Sequence, residues 1–373
     1  MKKIKHLMIW IGLLLSLVSC KDTMEAIGLG GDEIPAEGLV LNLQLTNFTK
    51  QQIGTRAGAS ETVKSLWAVF YGDNNEYKDK TDCYSTLSQQ PDGSYKVKIT
   101  NVPAGTKNVH LVANASDMTD AEAQDLQSLT AAKERDPQLD APICWGKISI
   151  DTLLEANPSV TMLRQCAKIS LEIDNSIQSN FTNAGLYVYN TATKAAIAPA
   201  NYIEPTTDDL AESTDLRTDT PLGGGTATTV AVNETFAGKA MVIIKAKYKK
   251  REGYYKVALY KNKEKIQYAL LRNHHYTIKV TKVNDYGFST LEEAKKSLPE
   301  NRVEVEVRDD NPEITQMIAC KDYELGVSDY QEINANTTEA TVTIVTTLPK
   351  ATSSDSALYS VKRNNSWITA YQQ

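Results

Sequence analysis

Three catalytic signatures are missing from this chain of 373 residues. It has no Gly-x-Ser-x-Gly turn, no His-Glu-x-x-His helix and no Cys-x-x-Cys pair, so the commonest hydrolase, metalloprotease and redox arrangements have nothing to build on. Gly223-Gly224-Gly225 lacks the Lys-Ser/Thr of a phosphate loop and reads as a turn. His274 and His275 are adjacent, and neighbouring side chains on a strand point to opposite faces, so the two cannot share a metal. Asp309-Asp310 lacks the further spaced oxygen ligands that calcium needs and reads as a solvated acidic turn. The net charge of −6 is read as coming without a basic patch, so nothing favours nucleic acid as a partner and none is expected. Phenylalanine is scarce, 5 residues against 18 tyrosines, as in β-rich proteins whose rings keep one wet edge. No catalytic residue, metal or cofactor is expected, and the chain does not read as an enzyme.

Cysteine is sparse as well. Beyond Cys20 there are Cys83, Cys144, Cys166 and Cys320, an even number that permits one or two disulfides in an exported chain. Cys144 and Cys166 fall on expected strands, where a thiol behaves as a small buried hydrophobe, and buried thiols are the preferred reading.

The one long apolar run is at the start. Lys2, Lys3 and Lys5 precede Leu7 to Val18, a stretch too short for the roughly 20 residues of a spanning helix but suited to an export signal. It ends in Leu17-Val18-Ser19-Cys20, which resembles a bacterial lipobox. That resemblance implies cleavage before Cys20 and acylation of its thiol, giving an outer-membrane tether held by two or three acyl chains. Residues 21–37 carry glycine-rich turns and Pro35, as a flexible tether would.

Next comes the stretch around which the chain is organised. Leu39, Leu41, Leu43 and Leu45 alternate with Val40, Asn42, Gln44 and Thr46, a period of two that puts four leucines on one face of a strand. Thr49 to Ser60 has no such periodicity and includes Gly54-Thr55-Arg56-Ala57-Gly58, so Arg56 reads as a protease-accessible position in a linker. A cut after it would detach the leucine strand from everything downstream.

Further strands are expected at Ser65–Gly72, apolar on both faces, and at Ser94–Ile99, Val109–Ala115 and Ile143–Ile150. Val160–Ile173 reads as one long strand bridging two sandwiches, and Gly185–Asn190, Thr226–Val232, Gly238–Lys247, Tyr254–Tyr260 and His275–Val283 continue the pattern. Thr119-Asp120-Ala121-Glu122 has the form of a capping box and predicts one short crossover helix within Thr119–Lys133. Closely spaced strands with a single helix make an all-β chain built of β-sandwiches.

Arg56-Ala57 ahead of Ser65-Leu66-Trp67-Ala68-Val69-Phe70, then Val102-Pro103-Ala104-Gly105, Arg164 with Ala167-Lys168-Ile169, and Leu271-Arg272-Asn273-His274-His275-Tyr276 followed by Gly287, resemble the fimbrillin family of surface fimbrial subunits. The resemblance covers roughly Leu39 to Val307. It implies tandem Greek-key, transthyretin-like β-sandwiches and export as a lipoprotein. It further implies removal of the Leu39, Leu41, Leu43, Leu45 strand by an arginine-specific protease cutting between Arg56 and Ala57. Other fimbrial subunits would then fill the vacated groove. The expected division is 1–20 signal, 21–56 tether and removable first strand, 38–165 N-terminal sandwich, 166–310 C-terminal sandwich and 311–373 a partial Ig-like segment.

That last segment departs from a plain stalk subunit. Tyr323–Ser328, Ala340–Thr347 and Ser366–Thr369 are weakly similar to the small Ig-like BACON modules of glycan-handling surface proteins. It is either an incomplete module or a source of strands for something else, such as a donor strand from Ala340 to Thr347, and it suits an accessory or tip subunit. The expected function is a fimbrial subunit that assembles at the cell surface by strand exchange at an open sheet edge and contributes to adhesion to a host or glycan receptor. The alternative is a monomeric, membrane-tethered glycan binder using Trp367 and Tyr371. An interior place for the leucine strand would weigh against exchange, because its release would unravel the domain.

Overall fold

The alternating leucines form the first strand, β1 (Leu39–Leu45), and burial alternates along it residue by residue. The structure is a computed structural model; it describes residues 38–45, 62–91, 93–200, 210, 215–260, 267–299, 302–309, 314–319, 324–328 and 344–346.

The strands that follow are β2 (Leu66–Tyr71), β3 (Tyr77–Asp82), β4 (Ser88–Gln89), β5 (Tyr95–Ile99), β6 (Asn108–Ala113), β7 (Cys144–Ser149) and β8 (Ser159–Arg164). They stack as two layers, β3-β2-β6-β7 and β8-β1-β5-β4. β8 belongs to both, because Ser159 to Met162 pair with β1 while Leu163 and Arg164 pair with β7. The inward faces, including the four β1 leucines, Phe70, Val97, Leu111 and Met162, make one continuous core. β3 is absent from the strands expected above. Its sequence, Tyr-Lys-Asp-Lys-Thr-Asp, has little apolar signal because it is an edge strand with solvent on one side.

The stretch read as one long strand divides at Gln165. Beyond it come β9 (Cys166–Ile173), β10 (Phe181–Tyr189), β11 (Leu222–Gly223), β12 (Thr229–Asn233), β13 (Met241–Tyr248), β14 (Arg251–Val257), β15 (His275–Val283) and β16 (Val303–Asp309). Their layers are β11-β10-β13-β14 and β12-β9-β15-β16 around a second core. The topology of the first sandwich thus recurs in the second. In each, the opening strand lies between an antiparallel neighbour, β5 or β12, and a parallel one, β8 or β15. The all-β, tandem-sandwich fold expected from the strand spacing is the fold observed.

The crossover helix is present as α1 (Asp120–Gln124), with the full capping box of Thr119 and Glu122. It has company, which corrects the expectation of a single helix. α2 (Ile150–Leu153) starts at Ser149, whose hydroxyl accepts from the Thr152 N–H, and α3 (Leu291–Lys296) has a second capping box in Thr290 and Glu293. Both are too short to show helical periodicity, so only their caps betray them. α1 and α3 do similar work. The α1 region covers the outer face of β2, β6 and β7, while Leu291 and Ala294 of α3 pack on Tyr189, Ile243 and Tyr254. The lead-in to α3 crosses β14 backbone to backbone, with Gly287 against Gly253.

A segment after β10 joins the two sandwiches. Ile197 and Ala198 pack beside Val112, Leu126 and Trp145 of the first sandwich, and Ala198 N–H donates to Leu126 O at 2.8 Å. Arg272, 2% exposed, clamps this segment by donating to Ile197 O and Ala196 O and pairs with Glu234. Across the junction Arg164 donates to Asn273 Oδ1 at 3.2 Å and Gln165 to Ala195 O at 2.7 Å. Farther along, β17 (Ile314–Ala319), β18 (Glu324–Ser328) and β19 (Ile344–Thr346) pair as a small antiparallel sheet.

Candidate functional site

β1 sits in a slot whose two walls come from distant parts of the chain. On one side it pairs antiparallel with β5, with Leu39 opposite Ile99, Leu41 opposite Val97 and Leu43 opposite Tyr95. On the other it pairs parallel with β8, with Leu43 opposite Val160 and Leu45 opposite Met162. Leu41 is 0% exposed while Val40, facing the other way, is 43% exposed. Asn42 fastens the middle of the strand: both its N–H and its side-chain amide donate to Pro158 O, at 3.0 and 3.2 Å. Gly38 opens the strand at φ +87°, where a Cβ would lie 2.6 Å from Ile99 O, so only glycine lets the chain enter the slot this closely.

This placement corrects the expected open edge. β1 is interior, and losing it would leave two unpaired ladders facing each other across a gap with apolar walls. At about 1.5–3 kcal/mol for each fully buried leucine, the strand supplies roughly 6–12 kcal/mol. That is comparable with the whole stability of a domain, about 5–15 kcal/mol.

Sequence reasoning found the four leucines but not the walls. Tyr95, Val97 and Ile99 were visible as an alternating run; that they face β1 rests on pairing over a long sequence separation. Cys20, Arg56, Ala57, Trp367 and Tyr371 lie outside the described residues, as does Cys320. Of the stretch weighed as a strand donor, Ala340–Thr347, the described part is β19, which pairs with β18 of its own chain.

The remaining candidates have structural roles. His274 Nδ1 lies 2.8 Å from Asp309 Oδ2, so Asp309 is a hydrogen-bond partner at the end of β16 instead of part of a solvated turn, and His275 Nε2 lies 2.8 Å from Ser170 Oγ. No cluster of three metal-ligating side chains occurs among the described residues. Cys83, Cys144 and Cys166 are buried thiols rather than disulfides, and burial pushes the Cys83 thiol up to about 11. His110 is buried against Tyr71 and accepts from Trp145 Nε1–H on its Nδ1 at 3.2 Å. Burial, helped by the charge of Lys147, drops its imidazole to about 3, so it is neutral at ordinary pH.

No family model matches the sequence, and no curated protein matches it. Among solved structures, the chain is similar to a candidate cell adhesion protein from Bacteroides eggerthii, at 13% identity and a TM-score of 0.46, over 75% of this chain and 97% of that one. A fimbrial assembly protein from Parabacteroides distasonis is similar at 16% identity and a TM-score of 0.44, over 73% and 99%. The tip fimbrial protein Mfa3 from Porphyromonas gingivalis, truncated at its C-terminus, is similar at 14% identity and a TM-score of 0.40, over 73% and 99%.

Proposed function

We propose that this chain is a fimbrial subunit of the cell surface, tethered to the outer membrane through acylated Cys20, that assembles by exchanging β1 for the equivalent strand of a neighbouring subunit. The observation that carries the reading is the manner in which β1 is held. Its four leucines fill the core, yet its only covalent link to the rest of the described fold runs through residues 46–61, which include Arg56 and Ala57. One cut there by an arginine-specific protease turns an integral strand into a bound peptide.

The interior position changes how exchange would work. An incoming strand gains hydrogen bonds on both sides, so a replacement is held more firmly than an edge addition. The interior position weighs against release of the resident strand into solvent, which would unravel the sandwich; exchange therefore requires the incoming strand to enter as the resident leaves, and is slow. The 311–373 segment favours an accessory or tip role over a repeating stalk position.

The test is to treat the purified full chain with an arginine-specific protease, beside an Arg56→Gln control, and add a labelled peptide spanning residues 38–48. The expected result is slow uptake of the peptide and growth of oligomers only in the cut protein. A cut protein that stays monomeric and takes up no peptide sinks the exchange reading. The two-sided pairing of β1 itself favours the second reading in that event: a monomeric, membrane-tethered glycan binder whose first strand never leaves.

A further inference from the structure

Nine described residues other than glycine adopt a left-handed backbone, and seven of them are asparagines. The two exceptions are adjacent: Lys249 at φ +48° and Lys250 at φ +71°, the central pair of the turn joining β13 to β14. A two-residue hairpin with both central residues left-handed ordinarily takes Asn-Gly or Asp-Gly, because a longer side chain is disfavoured there. This chain uses asparagine elsewhere for that conformation, so lysine at both places of one turn is a departure from its own habit. Such a departure points to a requirement other than folding.

The turn's surroundings indicate that requirement. Lys247 and Arg251 flank the two lysines, and Lys249, Lys250 and Arg251 are exposed, so the expectation of no basic patch is corrected: a chain of net charge −6 carries a compact cationic knob here. Glu252 lies opposite Lys247 in the ladder and is engaged by Lys245 at 3.3 Å. Aromatic rings hold part of the knob in place. Lys249 Nζ lies 5.0 Å from the centre of the Tyr248 ring, Arg251 lies 5.1 Å from that of Tyr286, and the two rings meet edge to face at 5.5 Å. Cations steadied in this way lose less freedom on meeting an anion.

The knob's position suits a receptor surface. β9 runs outward from the junction of the sandwiches at Cys166, and Lys249 N–H donates to Asn180 O in the turn beyond the far end of that strand. The hairpin tip therefore lies at the end of the second sandwich farthest from the first, the sandwich that holds β1.

We propose that the Tyr248–Arg251 turn with Tyr286 is a binding site for an acidic polysaccharide, whose sulfate or carboxylate groups meet Lys249, Lys250 and Arg251. The tip has tyrosine rings at its base and lacks an apolar side chain to insert among acyl chains, which favours a hydroxyl-rich polyanion over a lipid surface. This site is independent of the β1 slot.

The test uses the full chain with immobilised chondroitin sulfate and polygalacturonate, with dextran as the uncharged control. The wild-type protein should bind the two acidic polymers, with affinity falling as salt rises, and ignore dextran. The Lys249→Asn/Lys250→Gly variant should bind about tenfold or more weakly while its Tm rises, because the favoured turn residues have been restored. Arg251→Gln, outside the left-handed positions, should weaken binding without raising Tm. Lys96→Gln/Lys98→Gln, on the exposed face of the first sandwich, should bind as wild type. Wild-type failure on both polymers, full binding by the turn variant, equal loss in the Lys96/Lys98 variant, or binding only to phosphatidylglycerol vesicles overturns the proposal.

Discussion

Leu41 and Val40 are neighbours with opposite fates. Leu41 is sealed between the layers, so Leu41→Ala should cost about 2–5 kcal/mol. Val40 faces solvent, and Val40→Ala should stay within about 0.5 kcal/mol of wild type; urea unfolding of the two variants measures both. His110 makes a second case of environment ruling a side chain. Its folded-state value of about 3 lies far below that of an unfolded histidine, about 6.5. Between those values the unfolded chain binds a proton that the folded chain refuses. Stability should therefore fall as pH drops from about 6.5, by up to about 1.4 kcal/mol per pH unit from this group alone. His110→Gln, which keeps an acceptor for the Trp145 N–H, should flatten that part of the pH profile in chemical denaturation. Its difference from wild type separates the histidine from carboxylates such as Glu122, held low by Arg135 despite burial.

At the scale of elements, backbone contacts set limits that side-chain patterns do not reveal. A Cβ on Gly287 would stand 2.6 Å from Tyr254 N, with backbone on both sides. Gly287→Ala should loosen α3 from β14 and cost at least about 1–3 kcal/mol, with faster amide exchange across Tyr254 and Phe288, which bridge the same crossing. The sequence announced β1 through its leucine alternation and α1 through its capping box, because both are local signals. It did not announce the place of β1 between β5 and β8. Asn42 reaches Pro158 across a sequence separation of 116, and no periodicity encodes a partner that far away. β3 was hidden for another reason: its alternation is written in Lys, Asp and Thr, residues that equally describe a loop.

For the molecule as a whole, the junction of the sandwiches is held by buried charge. Arg164 and Arg272 were legible in the sequence as marks of a resemblance, but their burial was not, since arginine ordinarily lies at the surface. Removing one member of such a pair strands the other. Glu234→Ala should therefore destabilise the protein by about 3–5 kcal/mol, while Glu234→Leu with Arg272→Met should recover much of the loss; thermal unfolding of the two variants decides this. The junction has one further property. Gln165 alone separates β8 from β9, and each of those strands has a parallel neighbour, β1 for the first and β15 for the second. Tension along the chain would draw these strands lengthwise past their neighbours, loading a whole row of hydrogen bonds in shear instead of peeling them one by one. Single molecules stretched from both sides of Gln165 should show a high rupture force for the first sandwich, and severing the chain at Arg56 should lower it, which makes β1 the mechanical lock of that sandwich.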